Sequence, residues 1–107
     1  MIIIKSGAEI TRLFNEGRRI HTRNITIIVL RNEGQHDQYG RAAFIAGKKL
    51  GNAVWRNRAK RRMRALYRDL GDLTTGYDLI FMAKKSATSE PYDQMLASVT
   101  KALEANL

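Results

Sequence analysis

Residues 48–68 carry nine Lys or Arg and no Asp or Glu. The other segments hold ten basic and ten acidic residues, so the whole formal excess of +9 sits in this one stretch. Placed on a wheel at about 100° per residue, residues 52–70 predict a single amphipathic helix. Trp55, Ala59, Met63, Leu66 and Leu70 fall on one stripe, with Tyr67 at its edge. Asn57, Lys60, Arg61, Arg64 and Arg68 fall opposite, and Arg58 and Arg62 lie on a flank. Such a helix must lay its stripe on a sheet and keep its cations outside. Every architecture available to the chain has to respect that split.

The surrounding pattern supplies the sheet. Residues 25–30 read Ile-Thr-Ile-Ile-Val-Leu, rich in β-branched side chains, and predict a strand. Residues 18–20 predict a small strand or bend before it. Residues 41–47 predict a further strand whose small residues, Ala42 and Ala43, suit a face closely covered by a helix. Residues 77–83, Tyr-Asp-Leu-Ile-Phe-Met-Ala, form a near-continuous apolar run, as expected of a central strand covered on both faces. The polar, Gly-containing residues 32–38 predict a hairpin loop. Residues 72–76 and 86–90 predict irregular connections.

Two more helices frame the sheet. Ser6 can cap a helix over residues 6–17, with Glu9 as the reciprocal partner of a capping box and Gly17 as the stop. Its apolar residues are Ile10, Leu13 and Phe14. Pro91 opens a last helix with Tyr92, Met95, Leu96, Val99 and Leu103 on its apolar positions. The expected fold is an α+β two-layer sandwich of order α-β-β-β-α-β-α, with a mixed sheet of about four strands, in one domain over residues 1–107.

Composition narrows the function. There are no cysteines, which excludes disulfides and thiolate metal sites. No apolar run approaches the ~18 residues of a membrane span, and the short apolar start has no basic region before it, so the expected location is the cytoplasm. His21 and His36 stand apart from any second ligand at metal spacing. The carboxylates are scattered, and no catalytic set can be assembled from them. A solvated helix normally mixes signs, whereas Arg56/Lys60, Lys60/Arg64, Arg64/Arg68 and Arg58/Arg62 are like-charge pairs four apart. Each costs roughly 0.2–0.5 kcal/mol in water. A polyanion removes that repulsion and releases its own counterions. Arg, which dominates the helix, suits bidentate phosphate contact. Asn57 adds an amide that both donates and accepts. Gly51 and Ala53 keep the strand–helix junction slim enough for a backbone to approach.

The ordered run Lys48-Lys49-x-Gly51-x-Ala53-Val54-x-Arg56-Asn57-Arg58-x-Lys60-Arg61-x-x-Arg64 resembles the signature of the bacterial ribonuclease P protein subunit. Tyr77-Asp78 opening an apolar strand, and Ala83-Lys84-Lys85 closing it, agree with the same family. The resemblance implies a left-handed crossover through the basic helix. It implies partnership with a large catalytic RNA that cuts the 5′ leader from precursor tRNA, using Mg²⁺ held mainly by that RNA. The protein would bind the leader and raise the affinity for substrate and for metal, with no catalytic residue, membrane or protein partner of its own.

Carried onto this chain, Arg56, Asn57, Arg58, Lys60, Arg61, Arg64 and Arg68 would face the catalytic RNA. Ile10, Phe14, Ile28, Lys48, Lys49, Lys84 and Lys85 would line a leader cleft between the first helix and the basic helix, over the sheet. Ile10 stands where the family often has Phe, and the strand after Arg23 is aliphatic where an aromatic is common. Gly47 replaces a commoner Ser, and Ser86 a frequent Pro. The alternatives weighed against this reading are a ribosomal or other structural RNA-binding protein of similar topology and a protein nuclease acting alone.

Overall fold

The computed structural model describes residues 2–32 and 40–107. The elements follow the order α1 (Gly7–Glu16), β1 (Arg18–His21), β2 (Ile25–Arg31), β3 (Arg41–Ile45), α2 (Ala53–Leu70), β4 (Tyr77–Ala83) and α3 (Tyr92–Asn106). The α+β class and the element order agree with the sequence expectation. Short 3-10 turns at Gly71–Thr74 and Lys85–Thr88 occupy two stretches expected to be irregular. His36 and most of the loop expected at residues 32–38 lie outside the described residues.

The sheet order is β1-β2-β4-β3. β1 pairs antiparallel with β2, β2 antiparallel with β4, and β4 parallel with β3. β2 and β3 are therefore not a hairpin, contrary to the expectation from the polar loop between them. The reason lies in β4, where Leu79, Ile80 and Phe81 are all fully buried. A strand apolar on both faces is stabilised most at a central position, and it separates the two strands that precede it.

Strand alternation sends two sets of side chains to two cores. Ile25, Ile27 and Val29 of β2 join Leu79 and Phe81 of β4 under α2 and α3, against Ala59, Met63, Leu66, Met95, Val99 and Leu103. Phe44, Phe81 and Tyr67 form an aromatic cluster there, with Phe44 stacked on Phe81 at 5.5 Å between centroids. On the other face, Ile28, Ile80 and Ala43 meet Leu13 of α1, with Ile10 and Phe14 partly buried beside them.

Local chemistry sets the helix ends. Asn52 Oδ1 accepts from Trp55 N at 3.0 Å and starts α2. Ser6 Oγ accepts from Glu9 N at 3.4 Å. The reciprocal half of that capping box is not made, because the Glu9 carboxylate takes Arg41 Nη1 at 2.7 Å instead. Gly17 ends α1 in extended backbone, with φ −74°. It is required for closeness and not for a left-handed turn: a Cβ there would lie 2.5 Å from both Ile28 Cγ2 and Leu13 O.

Candidate nucleic-acid interface

Because β3 and β4 run parallel, with Ile45 beside Met82, both strands finish at the same edge of the sheet. Lys48 and Lys49 follow one, and Lys84 and Lys85 follow the other. Topology thus brings together two lysine pairs that the sequence holds far apart. Lys85 donates to Leu50 O and sits 5.6 Å over the Trp55 ring, which ties the end of β4 to the start of α2. Lys84 Nζ donates to Thr22 O at 2.6 Å. Lys48 and Lys49 are exposed and make no hydrogen bond or ion pair among the described residues.

The strand register defines the surface next to those lysines. On the face that α1 covers, Ile28 pairs with Ile80, and two residues nearer the edge Thr26 pairs with Met82. Met82 and Ile45 are only partly buried, and His21 is exposed beside Thr26, with its Nδ1 3.3 Å from Thr26 Oγ1. Ile10 and Phe14 of α1 border this strip. The Arg19 guanidinium lies 5.7 Å from the Phe14 ring centroid.

Two expectations need correction here. Ile28 is 0% exposed: α1 seals it against Leu13 and Gly17, so it supports the cleft floor and presents no surface of its own. The side chains that reach the surface on this strip are the partly buried Met82 and Ile45 and the exposed His21, which the alternation from Ile28 and Ile80 would have indicated once the pairing was known. The basic helix also cannot wall a cleft on this face along its length, because α2 packs on the opposite side of the sheet. Only its first turn lies near the lysine edge.

α2 carries the second cationic surface. Ala59, Met63, Leu66 and Leu70 are buried, as the wheel requires. Asn57, Arg58, Arg61, Arg64 and Arg68 are exposed, while Arg56, Lys60 and Arg62 are half-buried. The Arg64 guanidinium lies 5.7 Å from the Phe44 ring centroid, a cation–π contact at the end of the aromatic cluster. Arg56 Nε is buried and has no hydrogen-bond partner. Arg62 donates to Glu90 O. Burial first, and then the neighbouring Arg58, lower the Arg62 pKa from its ordinary value. Gly51 has a packing role, since a Cβ would lie 2.7 Å from Trp55 Cγ. The slim junction there is filled by the indole and is not open to a ligand backbone.

Among the described residues, Glu9, Glu16, Asp69, Asp78 and Glu90 are engaged with cations. Asp78 and Glu9 flank Arg41 at 2.8 and 2.7 Å, and their hydrogen bonds, with that of Asp78 first, raise the Arg41 pKa above its ordinary value. Asp69 binds Arg68 Nε at 3.2 Å and accepts from Tyr92 OH at 2.6 Å. Glu16 and Glu90 face Arg12 and Arg23. Among the described residues no group of three or more His, Asp or Glu side chains could hold a metal ion. No helix of the described residues is long and apolar enough to cross a membrane.

Comparison with known proteins gives the family. The family model for ribonuclease P matches residues 2–106. The ribonuclease P protein component of Halalkalibacterium halodurans is 37% identical over 97 residues, covering 90% of this chain and 80% of the relative. That of Chloroflexus aggregans is 37% identical over 102 residues, covering 94% and 73%. The solved structure of the Staphylococcus aureus RNase P protein superposes with a TM-score of 0.82 at 27% identity, covering 98% of this chain and 94% of that one. The Thermotoga maritima RNase P protein shares the fold at a TM-score of 0.83 and 18% identity, covering 100% and 99%. With its basic helix, its paired lysine edge and its strand order, the chain belongs to the ribonuclease P protein family.

Proposed function

We propose that this protein is the RNA-binding, non-catalytic subunit of a ribonucleoprotein that removes the 5′ leader from precursor tRNA. One surface is the exposed face of α2, where Asn57, Arg58, Arg61, Arg64 and Arg68 meet phosphates of the catalytic RNA, with Arg56 and Lys60 on the flank towards β3. The other is the strip between α1 and the ends of β3 and β4. There Ile10 and Phe14 give apolar contact, and Lys48, Lys49, Lys84 and Lys85 attract the backbone of the single-stranded leader. Mg²⁺ held by the partner RNA would supply the hydrolytic chemistry. The protein's part is to position the leader and to neutralise phosphates that would otherwise repel one another.

The observation that carries this reading is the convergence of the two lysine pairs at one sheet edge. It gives the molecule a cationic edge separate from the broad cationic face of α2. Aliphatic residues in place of rings in the cleft limit base stacking, which contributes about 1–3 kcal/mol per base where a ring is present. Leader binding by this chain then rests mainly on phosphate charge and is correspondingly weak in sequence preference.

The test is reconstitution with the ribonuclease P RNA of the same organism. Purified protein alone should leave precursor tRNA intact, and protein plus RNA should cut it faster than RNA alone at low Mg²⁺. Arg58→Ala combined with Arg61→Ala should abolish the stimulation while leaving the fold intact. Stimulation that survives the double substitution would contradict the assignment of the α2 face.

A further inference from the structure

The register lays His21, Thr26, Met82 and Ile45 side by side, in one row across all four strands. The next row inward on the same face holds Ile28, Ile80 and Ala43, which pack with Leu13 of α1. The outer row is closed less completely: His21 is exposed, and Ile45 and Met82 are partly buried. Cations border this row while its middle is uncharged. Lys48 and Lys49 follow β3. Lys84 follows β4, and its Nζ sits on the carbonyl of Thr22, the neighbour of His21 in the chain. Arg19, two residues back on β1, lies over Phe14. A single strand on such a surface keeps its phosphates at the charged border and its bases over the uncharged middle.

His21 supplies the ring of this row, and the fold holds that ring from below. Its Nδ1 is 3.3 Å from Oγ1 of Thr26, a residue only 6% exposed. Nε2, on the far side of the ring, has no hydrogen-bond partner among the described residues. Where the Thr26 hydroxyl donates to Nδ1, the neutral ring carries its proton on Nε2, and the imidazolium carries one there as well. An oriented ring with an unspent donor therefore stands beside the uncharged part of the strip.

We propose that His21 is a specificity-determining residue of the leader site: its imidazole, oriented by Thr26, stacks on one unpaired leader base and donates from Nε2 to it, giving a purine preference at that position. The proposal rests on the reading of the strip as the leader cleft. It adds a contact that lysine–phosphate attraction cannot provide, because every nucleotide carries the same phosphate. A purine is favoured on two grounds. Its two-ring face overlaps the imidazole more fully than a single ring does, and its N7 is an acceptor that pyrimidines lack. Leader positions away from His21 are read through charge.

The test uses the ribonucleoprotein reconstituted from full-length protein and the ribonuclease P RNA of the same organism. Precursor tRNAs carry a purine, a pyrimidine or an abasic residue at each leader position in turn, and leaderless tRNA is the control. Equilibrium affinities are measured for the unaltered protein, His21→Ala and His21→Phe, with circular dichroism melts to confirm folding. For the unaltered protein, one position should favour a purine over a pyrimidine by about threefold, and an abasic residue there should weaken binding by about fivefold or more. His21→Ala should bring all three substrates within about twofold of one another at that position and leave leaderless tRNA unchanged. His21→Phe, which keeps a ring without Nε2, should retain the abasic penalty and lose part of the purine preference.

A loss on His21→Ala that is as large for the abasic leader as for the purine leader would overturn the proposal, since it marks a backbone contact. The absence of any leader position with a His21-dependent preference, or His21→Phe behaving as His21→Ala, would overturn it too. Each of these results leaves the cleft reading in place. Failure of the leader to tighten binding by the unaltered ribonucleoprotein would overturn the cleft reading, and this proposal with it.

Discussion

Asp78→Asn is the substitution that most directly probes how the cleft is held in shape. Asp78 lies on β4 with its side chain 8% exposed, and Arg41, at 14%, lies beside it at the start of β3. Asp78 Oδ1 accepts from the Arg41 backbone N at 3.1 Å, and Oδ2 accepts from Nη2 at 2.8 Å. The same guanidinium reaches Glu9 of α1 at 2.7 Å, so this cluster links the sheet to the helix that borders the cleft. Asparagine is nearly isosteric and retains a carbonyl for the backbone amide, but it loses the charge-assisted bond. It leaves a mostly buried cation with Glu9 as its remaining carboxylate.

Breaking a buried pair by removing one partner costs about 3–5 kcal/mol. The retained Glu9 contact lowers that to about 2–4 kcal/mol, close to one charge-assisted hydrogen bond plus part of the desolvation penalty. At roughly 4 °C per kcal/mol for a chain of this size, the melting temperature should fall by about 8–16 °C. Thermal melts by circular dichroism, paired with urea denaturation, measure it. Adding Glu9→Gln should cost more than the sum of the separate effects, since the guanidinium then has no carboxylate left. A melting temperature for Asp78→Asn within about 2 °C of the unaltered protein would refute the reasoning, because a shift that small is the mark of a solvated pair.

Other consequences follow from the same contacts. Gly17→Ala should destabilise by about 1–3 kcal/mol in urea denaturation, because the new methyl meets Ile28 and the Leu13 carbonyl and neither can retreat. The hydrogen bond from Tyr92, and then that from Arg68, hold the Asp69 carboxyl below its ordinary pKa. Its contribution to stability is therefore present above the usual carboxylate range and is lost as pH falls through the lowered value. Tyr92→Phe should move the Asp69 titration upward in a carbon-detected NMR experiment. Burial first, and Asp69 second, push the Tyr92 phenol up to about 12. That contribution is full below the ordinary phenol value and is lost as pH rises through the raised one. Asp69→Asn should lower the phenol titration followed by ultraviolet absorbance, yet leave it above about 10 because burial persists. Replacing Lys48 and Lys49 by Ala should reduce affinity for leader-bearing precursor, and its salt slope by about 2, without affecting the melting temperature.

The legible parts of this molecule were those written in local periodicity. The stripe from Trp55 to Leu70 and the apolar run of β4 fixed the two elements that everything else packs against. The cations of α2 could be placed because a helix wheel needs no knowledge of the rest of the fold. What was hidden depended on pairing. Nothing local in residues 25–31 and 41–45 reveals that β4 will come between them, so a hairpin was the natural expectation and was wrong. The same ignorance of register made Ile28 look available, when Ile45 and Met82 are the apolar side chains at the open edge. Glu9 was expected to close its own capping box, and a cation from a distant strand outcompeted the backbone amide. Gly51 was legible as special, but the neighbour that requires it, Trp55, became clear only in three dimensions.

The central claim is that this chain holds the leader of precursor tRNA beside a catalytic RNA. Its most direct test is the equilibrium affinity of the reconstituted ribonucleoprotein for tRNA with and without the leader, each compared with the RNA alone. The account predicts that adding the protein tightens binding of the leader-bearing precursor by about tenfold or more, the scale of one to two kcal/mol from several phosphate contacts, and leaves leaderless tRNA nearly unchanged. Equal tightening of both substrates, or of neither, would contradict it.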